Sequence, residues 1–139
     1  MRNPLWCIFD VEASSVTLMY IEKVNVRSKL SAFTDHWSPK IVAELNGQQV
    51  KLAKMLGPFV WHKHDQEDEL FYVLSGKLKI EFRDQTVELS EGEFVVVPKG
   101  IEHRPVADKE VTVMLFEPAS TTNTGNNPGE YTRHDPERI

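Results

Sequence analysis

An all-β sandwich or barrel with one short N-terminal helix is the fold that the sequence predicts, on three observations. Short runs rich in β-branched and aromatic residues recur along the middle of the chain, separated by turn-forming pairs. Asn46-Gly47 stands between two such runs, a strong short-range hairpin signal because both central positions of the turn need positive φ. Between residues 38 and 117 no stretch reads as a long amphipathic helix.

Taken in order, the elements begin at Asn25, which can cap a short helix from Val26 to about Phe33 with Leu30 and Phe33 on one face. After Pro39 the character changes to strands: Ile41 to Leu45, Gln49 to Met55, Leu70 to Leu74, Lys77 to Phe82, Thr86 to Leu89, Phe94 to Val97 and Val111 to Glu117. Turn chemistry at Ser75-Gly76, Asp84-Gln85 and Glu91-Gly92 separates most of the later ones. Phe94 to Val97 reads as a buried strand. Many short strands at this spacing suit an antiparallel sandwich or barrel.

The flanks differ from this middle. Residues 1–18 show neither clean alternation nor helical periodicity, and Met19 reads like a second natural beginning. The segment is either an extension from an early start codon or an added edge strand. Residues 118–139 are polar and carry a run of turn formers from Thr121 to Gly129. They are either disordered or laid across the barrel or a partner subunit. The expected organisation is an N-terminal extension over 1–18, one domain over 19–117 and a polar tail over 118–139.

With 139 residues the chain fits one domain with a real core. Cys7 is the only cysteine, so no intramolecular disulfide forms. It reads as a small apolar filler. Net charge is −5, and Lys and Arg are scattered rather than gathered into a basic stripe, which argues against nucleic acid as a partner. No segment approaches the ~18 apolar residues of a membrane span. The apolar run Leu5 to Phe9 is too short and too quickly followed by charge for a secretory signal. The expectation is a cytoplasmic protein with no membrane partner.

Two stretches carry chemistry. In the first, His62 and His64 stand two apart, so on an extended segment both imidazoles point the same way and make half a metal site. Glu69 opens the next strand and shares a face with Phe71 and Val73. If those two face the core, so does its carboxylate, which is costly there unless paired or bound to metal. Asp65, Glu67 and Asp68 between them read as solvated surface charge. In the second stretch Pro98 and Gly100 bend the chain after Val97, and the bend can return His103 to the interior as a fourth ligand.

These residues resemble the cupin superfamily in both of its signature motifs. The first family motif is Gly, five residues, His-x-His, three or four residues, Glu, six residues, Gly. Here His62, His64, Glu69 and Gly76 match, while the gap from Gly57 to His62 is four residues rather than five. The second is Gly, five residues, Pro-x-Gly, two residues, His, three residues, Asn. Gly92, Pro98, Gly100 and His103 match, and Ala107 replaces the closing Asn, which is not a metal ligand. Fifteen residues separate the motifs, as in compact single-domain cupins. The proportions look like the small bacterial cupins described as mannose-6-phosphate isomerase-like. The resemblance implies a cupin jelly-roll β-barrel (a double-stranded β-helix) holding a metal on His62, His64, Glu69 and His103.

Three imidazoles and one carboxylate suit one divalent ion of Fe, Mn, Ni, Zn, Co or Cu, and four protein ligands leave about two octahedral positions open. A dication with one carboxylate keeps about one positive charge, which favours an anionic or chelating small molecule. Phe59, Trp61, Phe71, Met114 and Phe116 are candidates for an apolar cavity wall, with ordinary core packing the commoner role for such residues. Arg104 either clamps an acidic ligand or faces solvent. His36 and His134 fall in neither motif and read as surface or loop residues. The functional expectation is a metal-dependent enzyme on a small polar or anionic substrate, of dioxygenase, isomerase or lyase type. The alternative is a non-catalytic small-ligand-binding or sensor cupin. A homodimer is expected, because open strand edges need covering and small cupins commonly pair through their sheets. Residues near the N-terminus would pack on the partner or cover an edge of their own sheet.

Overall fold

The computed structural model describes residues 21–139. The expectations for residues 1–18 and for Cys7 lie outside the described residues. Among the described residues a single short helix, α1 (Val26–Leu30), is followed by seven antiparallel strands: β1 (Lys40–Leu45), β2 (Gln48–Pro58), β3 (Glu69–Ser75), β4 (Lys77–Phe82), β5 (Thr86–Ser90), β6 (Phe94–Val97) and β7 (His103–Pro118). Asn25 caps α1 as its sequence position predicts, accepting at Oδ1 from the Ser28 N–H at 3.0 Å. The helix stops earlier than Phe33. The Ser31 hydroxyl bonds back to the Ser28 carbonyl at 2.7 Å and the chain turns there.

Asn46 (φ 51°) and Gly47 (φ 76°) form the two-residue turn between β1 and β2, with the positive angles such hairpins require. From there the sheet runs β1-β2-β7-β3-β6, and β4 and β5 join it through β7. β7 is more than twice as long as the sequence suggests. Its first residues, His103–Val106, pair with β4, while Val111–Pro118 lie between β2 and β3. Pro105 and the exposed Asp108-Lys109-Glu110 interrupt the apolar alternation, which is why the strand reads as beginning only at Val111. Pro105 keeps its place because its carbonyl still accepts from the Phe59 N–H at 2.9 Å.

The core lies between the β4–β5 layer and the main sheet. Leu78 and Ile80 from β4 meet Val73 from β3 and Val111 and Val113 from β7, all fully buried. Phe94 to Val97 is a buried strand only in part. Val97 faces inward, but Phe94 is 60% and Val96 47% exposed on the outer face of an edge strand. The polar tail lies along the barrel. Ile41 on β1 donates to the Glu137 carbonyl at 2.8 Å and accepts from the Ile139 N–H at 3.1 Å, so the C-terminus pairs with the open edge of β1. Tyr131 packs on the core cluster and Thr124 is fully buried.

Candidate metal centre

His62, His64, Glu69 and His103 are all buried and offer ligand atoms within 4.8 Å of one another. Each arrives from a different constraint. His62 and His103 exchange backbone hydrogen bonds of 3.0 and 2.9 Å, which brings the two motifs side by side. The Gly100 N–H donates to the His64 carbonyl at 2.7 Å, and Asp68 Oδ1 accepts from the Lys99 N–H at 2.8 Å, so the Pro98–Gly100 bend is tied to the first motif. Glu69 opens β3 opposite Val97, with Phe71 and Val73 on its own face, as the strand phasing predicts.

Tautomers follow from the contacts. His62 Nδ1 lies 2.9 Å from the Val60 carbonyl and His103 Nδ1 2.9 Å from the Ile101 carbonyl. A carbonyl only accepts, so each Nδ1 carries the proton and each Nε2 keeps its lone pair for the site. Glu69 Oε1 sits 3.5 Å from His64 Nε2 and 3.4 Å from His103 Nε2. These three buried atoms have no hydrogen-bond partner in the protein. Two donor atoms each about 2.1 Å from one ion lie about 3.0–3.4 Å apart at octahedral to tetrahedral angles. The spacing and the orphaned donors therefore fit an ion among them, and the cluster could hold a metal.

The electrostatics agree with the donor chemistry. Burial, and then His103 beside it, hold His62 down at about 4, so it is neutral near pH 7. Burial also pulls His64 down, but the Glu69 carboxylate, with Glu67 beyond it, reverses this and leaves it raised. Burial pushes Glu117 well above the usual carboxylate range, and the charge of Glu69 pushes it the same way. Glu69 goes the other way despite its burial, because Glu117, His103 and His64 all favour its ionised form.

Of the expected wall residues, Phe59 and Phe71 face inward. Phe59 meets the His62 ring edge-on at 5.4 Å and Phe71 meets His103 at 6.1 Å. Trp61 does not line the interior: its ring lies under the Arg83 guanidinium at 3.8 Å. Met114 and Phe116 are also corrected, because they stand on the outer face of β7, and Leu115 is the residue that turns in. Arg104 points away from the site and bonds Glu81 at 2.9 Å. His36 pairs with Glu110 at 2.7 Å, and His134 is exposed. The sequence reading missed Trp37, which stacks on Phe59 at 4.6 Å beside a cavity of about 20 Å³ lined also by Met55, His62, Glu69 and Leu115. It also missed the tail's clasp on the ligand segment. Asn126 accepts from the Lys63 N–H at 2.9 Å, and Asn127 donates to the Trp61 carbonyl at 2.9 Å. Gly125 sits so close that a Cβ there would come within 2.2 Å of the Lys63 carbonyl oxygen.

A family model of the cupin domain matches residues 44–117, more than half of the chain. The chain is a cupin. Its solved relatives include a cupin-2 domain containing protein from Shewanella frigidimarina NCIMB 400, 49% identical with a TM-score of 0.68, the match covering 68% of this cupin and 93% of that chain. A protein from Neisseria meningitidis is 32% identical with a TM-score of 0.65, covering 70% of this chain and 100% of its own. Among curated sequences, the uncharacterized protein YdbB of Bacillus subtilis (strain 168) is 42% identical over 64 residues, 45% of this chain and 57% of that one. The acireductone dioxygenase of Yarrowia lipolytica (strain CLIB 122 / E 150) is 28% identical over 89 residues, 60% of this chain and 51% of that one. The cupin thus spans little more than half the length of these two curated relatives. No helix among the described residues is long and apolar enough to cross a membrane.

Proposed function

We propose that this cupin is a metal-dependent enzyme acting on a small polar or anionic molecule, with one divalent ion on His62, His64, Glu69 and His103. The observation that carries the reading is the convergence of three buried, partnerless donor atoms, with His64 Nε2 and His103 Nε2 lying 3.5 and 3.4 Å from the shared Glu69 Oε1. Such atoms are expensive to bury without a partner. A divalent ion there supplies Lewis acidity and the coordination positions that four protein ligands leave free. The chain's own residues do the rest. The Val60 and Ile101 carbonyls hold protons on two imidazoles at Nδ1 and so aim their Nε2 atoms inward. The Glu69 carboxylate leaves the centre with about one positive charge, which selects an anionic or chelating ligand. Phe59, Phe71 and Leu115 keep bulk water from the apolar side.

Among the reactions open to such a centre, dioxygen chemistry is favoured by the similarity to acireductone dioxygenase. The test is elemental analysis of protein purified without chelators, followed by dioxygen consumption with an acireductone. About one iron or similar redox-active ion per chain with substrate-dependent uptake is expected. Zinc or manganese without uptake would move the reading to isomerase or lyase chemistry, and a bound metal with no turnover would leave a ligand-binding module. The protein acts as a homodimer in this reading. The outer sheet face around Phe94 and Val96, continuous with half-buried Leu70, Tyr72, Met114 and Phe116, is the surface that pairing would cover.

A further inference from the structure

The barrel interior holds a second set of buried charges that the metal ligands do not explain. Lys51 on β2 and Glu117 on β7 are each 1% exposed, and Lys51 Nζ donates to Glu117 Oε1 at 2.7 Å. The pair is not remote from the site. β3 and β7 pair with Leu70 opposite Phe116, and that register, continued by one residue, sets Glu69 across from Glu117. The two buried carboxyl groups are thus cross-strand neighbours on the inner face of the sheet. Glu117 Oε1 is taken by Lys51, and its buried Oε2 has no hydrogen-bond partner, on the strand position beside Glu69. A chain therefore runs from the Lys51 ammonium through Glu117 to Glu69, whose Oε1 faces His64 and His103.

Buried ion pairs do little for stability, because desolvation offsets their attraction and apolar residues of similar volume do as well or better. A Lys and a Glu kept on the inner face of central strands call for another account, and the geometry supplies one. We propose that Glu117, anchored by Lys51, is a positioning residue for the metal centre: it backs the Glu69 carboxyl and fixes which oxygen Glu69 turns toward the imidazoles. Without it, Glu69 is free to rotate, and the Lys51 ammonium loses its partner beside a carboxylate that it would draw away from the ion. This inference rests on the metal reading above.

The test is titration of the chelator-treated full chain with Co2+, following both the dissociation constant and the visible absorption of the bound ion. Glu117→Leu should weaken Co2+ by about 10–100-fold, the range typical of residues that support metal ligands, and alter the absorption bands. Glu117→Gln, whose amide can donate to Glu69 and accept from Lys51, should stay within about threefold of wild type if hydrogen bonding is what positions Glu69. The double change Lys51→Met with Glu117→Leu removes both charges and should fold even where Glu117→Leu does not, yet still bind Co2+ about 10–100-fold more weakly. A folded Glu117→Leu or double variant that binds within twofold of wild type with unchanged bands would overturn the positioning role and leave the metal centre standing. Glu117→Gln as weak as Glu117→Leu would overturn it too. Failure of the wild-type chain to bind Co2+ would overturn the centre itself, and the positioning role with it.

Discussion

Strands β2, β3 and β7 each carry two kinds of inward-facing residue. Near the metal cluster their inner positions are Gln49 and Lys51, Glu69, and His103 and Glu117, all buried. Further along the same strands they are Ala53 and Met55, Phe71 and Val73, and Val111, Val113 and Leu115. The apolar half is continuous with Leu78 and Ile80 across the layer and gains stability from burial alone. The polar half gains little from burial and needs a partner for every atom. One half therefore holds the fold, and the other is held in place by it. This division predicts that damage to either half reads out in a different measurement.

The largest effect is expected at the ligands. His103→Ala should reduce metal affinity by more than about 100-fold, exceeding what loss of a supporting residue costs, while the far-ultraviolet circular dichroism stays that of a folded β protein. Unfolding on this one change would show that the two halves are not separable. The complementary change is Leu78→Ala, which should lower stability in urea by about 2–5 kcal/mol through the cavity it leaves, with metal stoichiometry unchanged.

Acid sharpens the comparison from the polar side. His62 is held at about 4, against about 6.5 in an unfolded chain. The unfolded chain therefore binds the proton more readily between these values. The contribution of His62 is complete above pH 6.5 and is lost as pH falls through about 4, to a limit of about 3 kcal/mol. His64, raised by Glu69, works in the opposite sense: its contribution is fully present below about 6.5 and is lost as pH rises through its raised value. Denaturant melts of the metal-free protein at pH 7 and pH 4 should therefore show a smaller drop for His62→Gln than for wild type. Equal drops would mean that the imidazole is hydrated rather than buried. The smallest effect on the interior is expected outside it. Phe94→Glu should bring the mass at sedimentation equilibrium down from twice the chain value of 16.0 kDa to the single value, with metal content unchanged and stability within about 0.5 kcal/mol. A wild-type chain that already sediments at the single value would sink the dimer.

The apolar half was legible in the sequence because its alternation is clean: Val73, Leu78 and Ile80 fall where strand phasing puts them. So did the meeting of the four candidate ligands, because motif spacing and side-chain parity both point His62, His64 and Glu69 the same way. The rest failed where polarity and position part company. The inner row of β7 ends in Glu117, and a buried glutamate makes its parity look reversed, so Met114 and Phe116 read as inward when Val113 and Leu115 are. On β2 the inner Lys51 and outer Leu52, both buried, conceal the phase in the same way, since Leu52 is covered on the far side. The tail carries no apolar period because it attaches through Asn amides, backbone groups and single residues such as Thr124 and Tyr131 rather than through a continuous apolar face.

The length of β7 bears on how the protein is made. Its last residue pairs with the first of β2, Pro118 with Gln48, while its first residues close on β4. Hardly any of the barrel can be stapled shut by neighbours in sequence, so closure waits on contacts that span about half the chain, the kind that slows folding. During synthesis His62, His64 and Glu69 leave the ribosome before His103, and the rest of β7, the strand that aligns all four, follows them. For that interval the nascent chain presents two imidazoles and a carboxylate on an unsealed sheet. The meeting of the four candidate ligands is thus a property of the closed barrel, acquired only once β7 is in place.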